Sequence, residues 1–69
     1  MLRKHPAIGR RVLINLYSGN AIEGVLTHKV ANQFIVRAAL IHEPGTDATP
    51  RADGEIVIDA ANVDYIQML

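Results

Sequence analysis

Residues 10–29, RRVLINLYSGNAIEGVLTHK, restrict the fold more than any other stretch. Two runs rich in β-branched and large apolar residues flank Ser18-Gly19-Asn20. Both alternate with a period of two, as half-buried strands do. Register selects the turn between them. A two-residue loop, Gly19-Asn20, sets Leu16 opposite Glu23. A three-residue loop, Ser18-Gly19-Asn20, sets Leu16 opposite Ile22, Ile14 opposite Gly24 and Val12 opposite Leu26. Only the second gathers apolar side chains on one face, and a one-residue slip would turn them all away. Gly24, with no side chain, lets the second strand bend sharply, as a small barrel requires. Leu13 and Val25 then share the opposite face with no cover inside the domain.

QFIVRAALI (33–41) reads as a third strand, with Phe34, Val36, Ala38 and Leu40 on one face and Ile35, Arg37, Ala39 and Ile41 on the other. A tight turn near Ala31-Asn32 leads into it, and Asn tolerates the left-handed conformation such turns demand. HEPGTDATPRADG (42–54) holds no apolar bulk but two of the three prolines and two of the five glycines, the composition of a solvated, variable loop. EIVID (55–59) is a fourth strand, with Ile56 and Ile58 inward and Val57 outward. AAN makes a corner, and VDYIQML is a fifth strand. Pro6-Ala7-Ile8-Gly9 suits one helical turn, with Pro near its start and Gly past its end. The expected fold is all-β: one domain over 1–69, a small, strongly bent five-stranded barrel behind a short helical turn.

Several function classes lose support. There are no cysteines, and His5, His28 and His42 lack metal-site spacing, so no metal or cofactor is expected. No nucleophile–base pair, carboxylate pair or phosphate loop stands out, so no enzyme is expected. No apolar run approaches ~18 residues, and MLRKHPAIGRR has no apolar signal region. We expect a cytoplasmic protein without a membrane span. The net charge is zero, yet residues 1–42 carry +5 and residues 43–69 carry −5. Either the two halves neutralise each other within the domain, or they form a dipole suited to head-to-tail contact between copies. Apolar residues make up 49% of a 69-residue chain, a large share for so small an interior. VDYIQML ends the chain on an apolar strand, and an exposed strand edge invites another chain.

IGRRVLINLYSGNAIEGVL and IDAANVDYIQ resemble the two motifs of the Sm-like (LSm) family. Gly9, Arg10, Val12, Ile14, Leu16, Gly19, Gly24 and Leu26 carry the first; Ile58, Asn62, Val63, Tyr65 and Ile66 carry the second. The resemblance spans about residues 6–68 and implies an SH3-like, Sm-like barrel. It further implies a homo-oligomeric ring in which strand five pairs with strand four of a neighbour. Val63–Met68 would meet Glu55–Asp59, with Val57, Val63, Tyr65, Ile66 and Met68 in the subunit interface. In the alternative, the last strand pairs within its own barrel and these residues are ordinary core.

Sm-like rings commonly bind uridine-rich RNA through an Asn after strand two and an Arg-Gly corner before strand five. This chain has THKVANQF at the first place and Asp59-Ala60 at the second. A carboxylate at the corner repels phosphate. Asn32 can supply the reading amide only if the loop is two residues short; otherwise Phe34 falls there. Arg37, outward on strand three, is the second RNA-binding candidate, and the basic segment Arg3–Arg11 could touch phosphate. HPAIGRRV, DG and VDYIQ also resemble small barrel proteins encoded beside virion genes in phages of actinobacteria, which would make other virion proteins partners. The expected function is a non-enzymatic ring acting as a structural assembly module, in a phage particle on that second resemblance. The alternative is a ring binding uridine-rich RNA.

Overall fold

The computed structural model describes residues 5–69. Arg3 and Lys4 of the basic segment lie outside the described residues. Five antiparallel strands follow in order: β1 (Arg11–Leu16), β2 (Ala21–Val30), β3 (Gln33–His42), β4 (Arg51–Asp59) and β5 (Val63–Met68), with a 3-10 turn at Ala60–Asn62. They form one bent sheet in the order β4-β3-β2-β1-β5. Its inner face carries Val12, Ile14, Ile22, Leu26, Phe34, Val36, Ala39 and Ile58, closed over by Ala7. Each large member contributes about 1.5–3 kcal/mol by leaving water. The segment expected as a helical turn at Pro6–Gly9 is instead a hydrogen-bonded turn. Ile8 N–H donates to the His5 carbonyl and Arg10 N–H to the Ala7 carbonyl.

The β1–β2 register differs from the expected one by two residues: Ile14 faces Ile22 and Val12 faces Gly24. Leu16 N–H donates to the Asn20 carbonyl and Gly19 N–H to the Leu16 carbonyl. The three-residue loop is therefore Tyr17-Ser18-Gly19, with Gly19 at φ +99°. A left-handed last loop residue favours glycine, and this register supplies one. Because the side-chain period is two, an even slip leaves every residue on its expected face.

The expected alternation of β3 fails at its centre. Ala38 takes φ +53°, and the β3–β4 register shifts between Arg37 and Ala39. Beyond this bulge Ala39 is buried and Ile41 packs on the core, whereas Ala38 is exposed. Leu40, expected inward, is displaced to the outer face. At the β2–β3 turn the left-handed residue is Ala31, at φ +51°, and not Asn32. The loop expected over 42–54 is also shorter. Residues 51–54 already belong to β4, with Arg51 opposite Leu40 and Ala52 opposite Ala39.

Gly24 sits where β2 bends over β3. A Cβ there would lie 2.5 Å from Val36 Cγ1 and 2.8 Å from the Arg37 carbonyl oxygen. The sharp bend expected at this glycine therefore has a steric cause: two strands approach more closely than any side chain allows.

Candidate assembly edges and nucleic-acid interface

β5 pairs with β1 of its own chain, Ile66 opposite Ile14 and Met68 opposite Val12. The home pairing posed as the alternative is what one edge of β5 makes, although not all five residues become core. One edge of β5 is filled at home, and its other edge carries no strand. β4, at the far end of the sheet, likewise has one edge paired with β3 and one open. An antiparallel sheet with two open ends offers unpaired N–H and C=O groups at both.

The five residues assigned to the interface fall into two groups. Val57 on β4, and Tyr65 and Met68 on β5, are exposed by 55%, 53% and 47%. Val63 and Ile66 are half-buried and pack against the core. Residues three apart share a face here because the β1–β5 register shifts between Asn15 and Leu16, leaving Asp64 as the extra residue.

At one end of the barrel the β2–β3 turn meets the β4–β5 corner. Ala60 N–H donates to the Asn32 carbonyl at 2.7 Å, and Val63 N–H closes the 3-10 turn onto the Ala60 carbonyl. Gln33 Nε2 donates to Asp59 Oδ1 at 3.5 Å, a long bond. Lys29 Nζ donates to the Ala31 carbonyl at 2.5 Å and stands 5.7 Å from the Phe34 ring centroid. Phe34 itself is buried and meets His5 edge to face at 5.6 Å. That placement removes Phe34 from the reading position considered for it. Asn32 is exposed, and it enters the corner through its backbone. Gln33 was not singled out from the sequence. Its only signal is its place directly before the first inward residue of β3, across from Asp59 in the register.

Arg37 lies elsewhere. It is exposed on the outer face, between Val25 of β2 and Glu55 of β4. Arg37 is five steps along the chain from Asn32, roughly 16 Å in extended strand, so the two RNA-binding candidates do not converge within one protomer. Nearby, Arg11 holds Glu23 at 3.0 Å and His42 Nε2 reaches the same carboxylate at 3.1 Å. The hydrogen bonds from His42 and Arg11 hold the Glu23 carboxyl below its ordinary value. Among the described residues no ion pair joins the basic and acidic parts of the chain, because both partners of Glu23 belong to residues 1–42. No group of three or more His, Asp or Glu suited to a metal occurs among the described residues. No helix there is long and apolar enough to cross a membrane.

No protein-family model and no curated protein matches the sequence. Solved structures do. The Sm protein of Pyrococcus abyssii, solved with a uridine heptamer, is 26% identical, with a TM-score of 0.79 over 94% of this chain and 90% of that one. The P. aerophilum SmAP1 heptamer is 23% identical, with a TM-score of 0.77 over 91% and 82%. A heptameric archaeal Sm protein is 23% identical, with a TM-score of 0.76 over 91% and 90%. More than nine-tenths of the chain superposes on these structures, and the chain has the Sm-like fold.

Proposed function

We propose that the protein is a non-enzymatic ring module whose copies join the open edge of β5 to the open edge of β4. One observation carries this reading: the sheet order β4-β3-β2-β1-β5 leaves both terminal strands unpaired on one side. Val57 stands beside one open edge, and Tyr65 and Met68 beside the other. Pairing the edges head to tail closes a ring and removes every free edge. Two of the similar archaeal proteins are heptamers, which supports a ring. The test is the solution mass by light scattering. The wild type is expected as a discrete oligomer and Tyr65→Asp as a single protomer. A wild-type protein of single-protomer mass at micromolar concentration would overturn the reading.

A ring used as a structural part suits the Asp59 corner, where each copy would add a carboxylate and repel phosphate. A place in a phage head, tail or their junction rests on the sequence resemblance alone. The second reading, uridine-rich RNA binding, is favoured by the contact between the Asn32 turn and the Ala60 corner. The uridine heptamer bound by the P. abyssii protein also favours it. It predicts affinity for oligouridine that falls steeply with salt. A flat titration at low salt would reject it without touching the ring.

A further inference from the structure

The outer face of the sheet holds a cleft of about 530 Å³ that shares no residue with the corner just described. Its volume falls within the range of small-ligand sites. Arg11, Arg37 and Arg51 line it from three different strands, with Asp53 as the single carboxylate. Its floor is the β3–β4 bulge. Arg37 pairs with Glu55 and Ala39 with Ala52, so Ala38 alone opposes two residues of β4. Ala38 takes φ +53°, a left-handed conformation that in non-glycine residues clusters at functional sites, and Gly54 takes φ +76°, which costs a glycine nothing. The small side chains at Ala38, Ala52 and Gly54 leave the space open, and nothing lies within 4 Å of a Cβ placed on Gly54.

The charges are unevenly committed. Arg11 is held by Glu23 at 3.0 Å. Arg37 and Arg51 make no ion pair within 4 Å among the described residues, although Glu55 is the register partner of Arg37. Arg37 and Arg51 line the same cleft without a carboxylate partner among the described residues, and arginine binds the oxygens of a phosphate group in paired hydrogen bonds. Asp53 can accept from a hydroxyl or amine on the remainder of such a ligand.

We propose that this cleft is a phosphate-binding site for a small ligand, with its phosphate on Arg37 and Arg51 and its hydrogen-bond donors toward Asp53. The assignment shares no residue with the corner site, and four of its lining residues, 51–54, lie on β4 just before the Glu55–Asp59 segment expected to meet a neighbour's β5. Two probes separate the sources of the phosphate: inorganic pyrophosphate, and adenosine diphosphate. Each is titrated at low salt into the full-length protein, followed by amide NMR shifts and calorimetry. Saturable shifts centred on the amides of Ala38, Ala52 and Gly54 are expected. Arg37→Ala and Arg51→Ala each should weaken binding about tenfold or more, and Arg37→Lys should weaken it less. Both arginines are exposed, so the variants keep the fold, and Tyr17→Phe, on the exposed β1–β2 turn, should bind as wild type. Equal affinity for both probes assigns recognition to the phosphate alone; tighter adenosine diphosphate binding, lost in Asp53→Ala, adds the nucleoside. A non-saturating drift with both probes, or unchanged affinity in both alanine variants, overturns the site.

Discussion

Replacing Gly24 by alanine separates a steric account of the bend from a conformational one. Gly24 does not take a positive φ. An alanine there meets no backbone penalty and would, in open space, stabilise the fold by about 0.4–1 kcal/mol through the unfolded chain. The space is not open. The added Cβ falls 2.5 Å from Val36 Cγ1, 2.8 Å from the Arg37 carbonyl oxygen and 3.3 Å from Ala39 Cα. Val36 is fully buried, and the other two contacts are backbone atoms, so no flexible side-chain end can give way. Overpacking of this kind costs about 1–3 kcal/mol, a large part of the roughly 3–5 kcal/mol available to so small a core. With a urea slope of about 1 kcal/mol/M, the midpoint should fall by roughly 1–3 M at fixed protein concentration. Adding Val36→Ala removes the shortest contact but not the carbonyl one. The double variant should therefore be less unstable than the sum of the two single losses. A midpoint equal to or above wild type for Gly24→Ala would refute the close approach of β2 to β3.

Two further perturbations probe the sheet more gently. Ala31 holds a left-handed conformation in an exposed two-residue turn, so Ala31→Gly should raise stability by up to about 1 kcal/mol, read as a higher urea midpoint; a lower one would contradict the turn geometry. Glu23 has its carboxyl pKa lowered from 4.5 by hydrogen bonds from His42 and Arg11. Its contribution is therefore complete above about the ordinary value and drains away as pH falls through the lower folded value. Denaturation between pH 6 and pH 3 should show wild type losing more stability than Glu23→Gln, and parallel losses would mean that the pair does nothing.

The inward set of β1 and β2 was legible because period two survives any even slip: Val12, Ile14, Ile22 and Leu26 face the core even though the pairing moved by two. The β3 set was legible only as far as Val36. RAAL contains no glycine or proline to mark Ala38 as left-handed, so simple alternation ran straight through the bulge. RADG looked like loop because it has charges, a glycine and no bulk. It pairs as strand because Ala39 and Leu40 beyond the bulge need backbone partners. Tyr65 and Met68, proposed for the interface, were picked out from the apolar run VDYIQML and are exposed. Gln33 and the arginine cleft could not be picked out, since both depend on which strands lie side by side.

The two ends of the sheet connect stability to assembly. In the single chain β4 and β5 are both terminal and do not pair, so bending alone does not close the barrel. About half of the surface of Val57, Tyr65 and Met68 remains in water. Covering that half is worth about 1 kcal/mol each, so closure of the proposed ring contributes roughly 3 kcal/mol of gross burial per protomer, against which the cost of bringing copies together is set. The gross burial is comparable with the whole stability expected of the isolated core. Folding and ring formation should then be linked by mass action, with the urea midpoint rising as protomer concentration rises. Denaturation at 1 μM and 100 μM checks this, and Tyr65→Asp should lose the concentration dependence while staying folded at the lower midpoint. A wild-type midpoint that does not move across that range would mean the edges stay open, and the apolar strand that ends the chain would need another partner.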